Sequence, residues 1–154
     1  MKLSEALSLR KDLLTRISQL ESRLQNNVTA QEGDEPAEKP EELFAELKRC
    51  VEQLEYYIYQ INVTNTQVTA DNGTPLTKLL AKRDALSKHI RLLQMAFDTA
   101  SAVNNNNRYS RSEIKSVATI DIKALRKQVD ELSQQYRLLD MEIQTLNFKY
   151  DLIE

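Results

Sequence analysis

The most chemically varied stretch of the sequence is a connector at residues 104–115, which reads NNNNRYSRSEIK. Its cations Arg108, Arg111 and Lys115 could hold a phosphate or a phosphodiester backbone, because such side chains donate charge-assisted hydrogen bonds to phosphate oxygens. Further candidates for the same site lie within the connector and outside it: Tyr109, Ser112, Glu113, Lys82 and Arg83. The structural alternative is a connector whose cations pair with acids of a neighbouring loop or of another subunit. The connector therefore indicates either a site for a small anionic ligand or RNA, or a contact surface.

Other kinds of chemical site lack their parts in this sequence. His89 is the only histidine, and no glutamate stands three residues before it, as the Glu-x-x-His motif of a di-iron bundle requires. Ser110 has no histidine nearby and lies in no G-x-S-x-G turn, and no glycine-rich phosphate motif occurs. Cys50 adjoins an apolar seam, so we expect a buried structural thiol. The sequence thus predicts no catalytic residue, no metal ligand and no cofactor, and an enzyme is only the third hypothesis for function.

Composition limits the class of protein. The chain has 154 residues with 2 glycines and 3 prolines, so we expect one helical domain spanning residues 1–154 with few loops. Its formal net charge of −2 makes nucleic acid an unlikely general partner and gives no attraction to an anionic membrane. The chain has one cysteine and no run of about eighteen apolar residues. We therefore expect the cytoplasm, a reducing compartment, and no membrane span.

Four long helices must position the candidate residues. Hydrophobic periodicity predicts them at about residues 4–25, 40–64, 75–103 and 121–150, joined by an acidic loop at 26–39 and the polar connector at 104–120. Pro40 suits the start of helix two, Asn72 and Gly73 suit the turn before helix three, and Asp121 is a plausible cap for helix four. Two stretches rich in β-branched residues, near 63–70 and 113–120, are also compatible with short extended segments.

Each predicted helix carries a narrow apolar seam. In helix two the seam residues alternate at spacings of three and four: Phe44, Leu47, Val51, Leu54, Ile58 and Ile61. In helix four nine consecutive seam positions are apolar or aromatic: Ile122, Leu125, Val129, Leu132, Tyr136, Leu139, Ile143, Leu146 and Tyr150. Helix one is less regular, and its seam includes Leu14. Since helices with narrow seams need partners along their length, we predict an all-α antiparallel bundle or coiled-coil assembly that self-associates as a homo-oligomer.

The charges at the helix ends favour this antiparallel order. If successive helices run up and down, the acidic loop and the basic connector lie at one end of the bundle. At the other end, bases near the start of helix three meet acids near the end of helix four. The bases are Lys78, Lys82, Arg83, Lys88 and Arg91, and the acids are Asp140, Glu142, Asp151 and Glu154. Bases at a helix start and acids at a helix end oppose the macrodipole, so pairing between the ends would compensate. Exposed pairs contribute only about 0–1 kcal/mol each, so they would set the register more than the stability.

Several motifs spread over nearly the whole chain form a recognisable set. They are GDEPAE at residues 33–38, INVTN at 61–65, NGTPLTKLLAKRDAL at 72–86, RYSRSEIK at 108–115 and YRLLDMEIQTLNF at 136–148. Together they resemble a family of small, uncharacterised bacterial helical proteins, sometimes labelled septicolysin or septicolysin-like. The resemblance implies a self-associating helical protein without an established activity, and the label implies cytolysin-like activity as a further alternative. Phe148 departs from the family, where we expect a tryptophan.

Overall fold

The computed structural model describes residues 1–106 and 114–153, and most of them lie in four long helices. In chain order these are α1 (Leu3–Asn27), α2 (Pro40–Gln67), α3 (Leu76–Asn106) and α4 (Ile122–Lys149). The predicted fold class, an all-α chain of four long helices, is confirmed. The largest differences from the predicted bounds are at the ends of α2 and α3, which continue to Gln67 and Asn106 instead of ending near residues 64 and 103.

Neither β-branched stretch is a strand within the described residues. The stretch after Ile61 stays helical to Gln67, and the hydroxyls of Thr64 and Thr66 donate hydrogen bonds to carbonyls of the same helix, at 2.8 and 2.6 Å. The backbone leaves the helix at Val68, which is extended (φ −73°, ψ 131°). Residues 114–120 lie outside helices and strands. The bridge between Lys2 and Asp151 is an isolated antiparallel pair.

The chain divides into two compact units. The first unit is Met1–Thr69 with Thr145–Glu154, and it contains α1, α2 and the last turn of α4. The second unit is Ala70–Gln144, and it contains α3 and the rest of α4. A single domain over residues 1–154 stays a prediction.

In the first unit, α1 and α2 form an antiparallel hairpin. Leu20 of α1 packs with Leu43 and Cys50 of α2 in a buried cluster. Partly buried side chains from both helices surround it: Leu13, Ile17, Leu24 and Leu47. Burial of each such leucine contributes about 1.5–3 kcal/mol, so this cluster holds the two helices together.

The buried seam of α2 lies one residue away from the predicted seam. Three members of the predicted seam are exposed, at 52%, 47% and 42% respectively: Phe44, Val51 and Ile58. A line one residue earlier is buried or half-buried instead: Leu43, Cys50, Tyr57 and Thr64. The prediction was wrong for these positions because the earlier line is the one that packs against α1, where Leu20 contacts Leu43 and Cys50. Leu14 of α1, also predicted as a seam residue, is 51% exposed.

In the second unit, α3 and α4 run antiparallel to each other. Arg83 near the start of α3 pairs with Asp140 of α4 at 3.3 Å, and Phe97 near the end of α3 lies 5.4 Å beneath Arg126 of α4. All nine seam positions predicted for α4 are buried or half-buried, so that prediction is confirmed. The predicted cap is also present, since Asp121 accepts a hydrogen bond from the Ala124 amide at 2.9 Å.

The turn before α3 has the predicted chemistry. Gly73 adopts a positive φ of 79°, a conformation that favours glycine. The side-chain oxygen of Asn72 accepts a hydrogen bond from the Thr74 amide at 2.9 Å, which closes the turn. Helix α3 then begins at Leu76, directly after Pro75.

The segment after α4 is bound to both helices of the first unit. The Leu3 amide donates to the Tyr150 carbonyl at 3.0 Å, and the Leu152 amide donates to the Met1 carbonyl at 2.8 Å. The Ile153 amide donates to the hydroxyl of fully buried Thr64 at 2.9 Å. These bonds fix the first turn of α1 against residues 150–153, and we refer to them as the terminal clamp.

Candidate interaction surfaces

The predicted anion site lies mostly in the connector between α3 and α4. Five of its residues lie outside the described residues: Arg108, Tyr109, Arg111, Ser112 and Glu113. Lys115 is exposed in the irregular segment 114–120, and Lys82 is exposed on α3. The site therefore stays a prediction.

Arg83, the last of the predicted site residues, is held by carboxylates of the second unit. Its guanidinium lies 3.3 Å from Asp140 and 3.5 Å from Asp84. Asp140 also accepts a hydrogen bond from the side-chain amide nitrogen (Nε2) of Gln144 at 2.6 Å. An anionic ligand at Arg83 would have to displace Asp140, so the role that this geometry supports is a link between α3 and α4.

Acids of the predicted loop and of the first turns of α2 find partners on α1. Arg23 donates to Glu38 at 2.5 Å and to Glu46 at 3.3 Å, while Arg16 donates to Glu46 at 2.8 Å. The bond from Arg23 lowers the pKa of the Glu38 carboxyl, and the bond from Arg16 lowers the pKa of the Glu46 carboxyl. Asn27 orders the loop, since its side chain accepts a hydrogen bond from the Glu38 amide at 2.8 Å. We call these four charged residues the charged edge of the hairpin.

A groove of about 610 Å³ lies along the charged edge. Its apolar and aromatic lining comes from Leu9, Leu13, Tyr56 and Tyr57, and its charged lining from Asp12, Arg16, Arg49 and Glu52. Two cations and two anions balance, so the groove has no net preference for an anionic or a cationic ligand.

The opposite edge of the hairpin is apolar. Four large side chains there are between 42% and 52% exposed: Leu14, Phe44, Val51 and Ile58. The three residues on α2 are seven apart and lie on one line of the helix. The pair between Arg16 and Glu46 fixes the register, which brings Leu14 level with the middle of α2 on the side away from Arg16. We call these four residues the apolar edge. Contiguous exposed apolar surface of this kind marks interaction sites.

The second unit has a groove of about 920 Å³ with an excess of positive charge. Its charged lining consists of Lys123, Arg126, Lys127 and Arg137 against Asp130 and Glu131. Within α4, Arg126 pairs with Asp130 at 3.3 Å and Lys127 pairs with Glu131 at 3.9 Å. For Lys123 and Arg137 the structure gives no ion pair with another described residue, so the excess charge of the groove comes from these two.

The remaining candidates are His89, Cys50, a metal site and a membrane span. Within residues 1–106 and 114–153, no group of three or more histidine, cysteine or acidic side chains could hold a metal ion. His89 is exposed on α3. The expectation that Cys50 is buried is confirmed, since it is 4% exposed. No helix in the described part of the chain has both the length and the apolar character to cross a membrane.

Sequence reasoning missed the charged edge and placed the apolar edge in the core. A signal for the first was present, because Arg16 and Arg23 are seven residues apart and therefore lie on one line of α1. A signal for the second was the line through Leu43 and Cys50, which has the same heptad spacing as the predicted seam. The choice between the two lines depends on what α1 presents to α2.

A family model matches residues 10–152, and its description is a family of unknown function, DUF6847. The chain belongs to the DUF6847 family. Among solved structures, this DUF6847 chain is similar to a functionally unknown conserved protein from Corynebacterium diphtheriae. The two are 38% identical, with a TM-score of 0.91 over 99% of each chain. No curated protein matches it. The predicted resemblance to an uncharacterised helical family is confirmed at this level, and neither relative carries the septicolysin label.

Proposed function

We propose that this chain is a self-associating helical interaction protein without a catalytic role, and that it works as a homo-oligomer. The observation that carries the proposal is the apolar edge, whose four side chains are each between 42% and 52% exposed. Covering that surface gains about 25 cal/mol for each Å² removed from water. The heptad spacing of its α2 residues is that of a coiled-coil seam, which needs a partner helix along its length. The charged edge on the opposite side of the hairpin carries two arginines and two glutamates, which favours association through the apolar edge.

The oligomeric state tests this proposal directly. We expect light scattering and sedimentation equilibrium to give a mass above the 17.8 kDa of one chain, rising with concentration. Circular dichroism of the same samples should report the helical content of the folded chain. A mass of 17.8 kDa at every concentration would contradict the proposal.

A binding module for an anionic ligand or RNA is the second candidate. The positive groove of the second unit favours it, because Lys123 and Arg137 are not neutralised by a described residue. Together with Arg108, Arg111 and Lys115 of the connector, these cations would contact phosphates, and the affinity for RNA would fall steeply with salt. The test is RNA binding at several salt concentrations by the wild type and by the double variant Arg108→Ala with Arg111→Ala. Unchanged binding with lowered thermal stability or altered mass would make the connector a structural contact.

A cytolysin-like activity is the remaining alternative, and it rests on the septicolysin resemblance alone. Release of a trapped dye from liposomes of neutral and anionic lipid measures it. Release that depends on protein concentration would support the activity, and intact liposomes at every concentration would remove it.

For location we propose the cytoplasm. The sequence contains one cysteine, and that residue, Cys50, is buried, so a reducing compartment would break no internal disulfide. Fractionation of cells that express the full chain checks the proposal, which predicts recovery in the cytoplasmic fraction.

A further inference from the structure

Helix α2 carries two seams that share residues. The seam toward α1 uses Leu43, Cys50 and the half-buried Leu47 and Leu54. The second seam also uses Leu47 and Leu54 and adds the exposed line of Phe44, Val51 and Ile58. A groove of about 460 Å³ runs along this second seam, lined by Val51, Leu54, Glu55, Ile58, Tyr59 and Asn62. A helix with the same heptad spacing would fill that groove.

The charges beside the second seam select a second copy of α2 in the antiparallel direction. In an antiparallel pair, Val51 of one copy packs against Leu54 of the other, and Ile58 packs against Leu47. Lys48 directly follows the seam residue Leu47, and Glu55 directly follows the seam residue Leu54 one heptad later. The same antiparallel register therefore places Lys48 of each copy opposite Glu55 of the other. Because the two copies are related by a two-fold axis, the ion pair between Lys48 and Glu55 occurs twice in the dimer.

A parallel pair of the same helices has no such complementarity. In a parallel pair, Lys48 of one copy would lie opposite Leu43 of the other, and Glu55 would lie opposite Cys50. Leu43 and Cys50 are apolar partners that are already buried against α1 of their own chain. The charged side chains are also available for the antiparallel pair. Among the described residues, exposed Lys48 forms an ion pair with Glu52 alone, at 3.9 Å, and Glu55 forms none.

We propose that two copies of this chain pair through the apolar edge, with α2 antiparallel to α2 about a two-fold axis near Glu52 and Gln53. This rests on the proposed self-association and names its interface. Leu14 of α1 lies on the same edge, so each copy contributes two helices to an intermolecular four-helix arrangement. Two helices from each copy can approach the roughly 800 Å² per partner that a stable interface buries.

Charge reversal tests the direction of pairing. Lys48→Glu and Glu55→Lys each place like charges opposite each other at both ion pairs. Each variant should therefore raise the dissociation constant of the dimer about tenfold or more. The double variant Lys48→Glu with Glu55→Lys restores opposite charges and should recover the wild-type dissociation constant to within a few-fold. The matched control is Lys127→Glu in α4, because Lys127 also pairs with an acid four residues later at 3.9 Å. It should leave the dissociation constant unchanged.

An apolar-to-charged variant tests the location of the interface. Val51→Glu should give a monomer with unchanged helical content, since Val51 is exposed in the single chain. Tyr56→Glu is its control, because Tyr56 is exposed to a similar extent, 44% against 47%, on the other edge of the same helix. Sedimentation equilibrium measures every dissociation constant.

The outcomes separate the two proposals. A wild type that is monomeric at every concentration would overturn self-association and this interface together. An oligomer that survives Val51→Glu would overturn the interface alone. A dimer that Val51→Glu dissociates, but that single charge reversals leave intact or the double reversal fails to restore, would overturn the antiparallel pairing.

Discussion

Cys50 and Val51 are neighbours on α2 with opposite surroundings, since Cys50 is 4% exposed against α1 and Val51 is 47% exposed on the apolar edge. The boundary between the core of the hairpin and the surface proposed for association therefore passes between two consecutive residues. Because helical neighbours are about 100° apart, one residue step suffices to cross this boundary.

The same substitution at the two positions should have different effects. Cys50→Asn buries an amide in the cluster with Leu20 and Leu43 and should lower the free energy of unfolding by about 1–3 kcal/mol. Val51→Asn should change the stability of the isolated chain by less than about 0.5 kcal/mol while weakening the proposed dimer. Urea unfolding at low protein concentration measures the first quantity and sedimentation the second. Equal losses of stability would mean that Val51 is covered within the single chain.

The charged edge should make stability depend on pH in the acid range. Glu38 and Glu46 have pKa values lowered below 4.5 by Arg23 and Arg16, so their contribution is present above that unfolded value. This stabilising contribution is lost as the pH falls from 4.5 through the lowered pKa values that Glu38 and Glu46 have in the folded chain. Arg23→Gln should therefore lower the melting temperature at neutral pH, and its difference from the wild type should shrink as the pH falls below 4.5.

Arg49→Gln is the control for that measurement, because the structure gives Arg49 no ion pair with a described residue of the same edge. Its melting temperature should follow that of the wild type across the pH range. A constant difference between Arg23→Gln and the wild type would assign the effect to packing of the arginine stem instead.

Arg83 and Asp140 should be energetically coupled. Their side chains are 30% and 28% exposed, so water screens them only in part. A double-mutant cycle with Arg83→Met and Asp140→Asn should give a coupling of about 0.5–1 kcal/mol in urea unfolding. The cycle between Arg83 and the more exposed Asp84 should give less. Equal couplings in both cycles would argue against a specific link between α3 and α4.

The terminal clamp should stabilise the start of α1. Leu152 is 7% exposed, so Leu152→Ala should cost about 2–3 kcal/mol and speed hydrogen exchange at the Leu3 amide. Leu138→Ala removes the same atoms from a residue that is 61% exposed and should cost less than about 0.5 kcal/mol. Slow exchange at Leu3 in the first variant would mean that α1 holds its first turn without the clamp.

The four helices were predictable because each has one dominant periodicity and clear punctuation. In α4 the apolar residues occupy a single pair of heptad lines, so only one face could be buried and all nine positions were assigned correctly. The start of α3 follows a turn made by the hydrogen bond to Asn72 and the positive φ of Gly73. The start of α4 has the hydrogen bond to the side chain of Asp121. Both features depend only on residues that are close in sequence.

The buried face of α2 was not predictable in the same way. Apolar residues fill three adjacent heptad lines, through Leu43, Phe44 and Leu47, and two neighbouring seams fit the sequence equally well. The choice depends on residues of a different helix, since Leu20 of α1 packs against Leu43 and Cys50 and Arg16 pairs with Glu46. Likewise, nothing local indicates that Glu38 of the loop pairs with Arg23 of α1, because that depends on the register of the hairpin.

The terminal clamp has a consequence for folding during synthesis. The α1–α2 hairpin joins residues that are close in sequence, so it can form as soon as α2 has left the ribosome. The amide of Leu3, in contrast, waits for the carbonyl of Tyr150, and Thr64 waits for Ile153. The first turn of α1 is therefore completed only after α4 has been made, and until then both the start of α1 and the end of α2 remain open to chaperones and proteases.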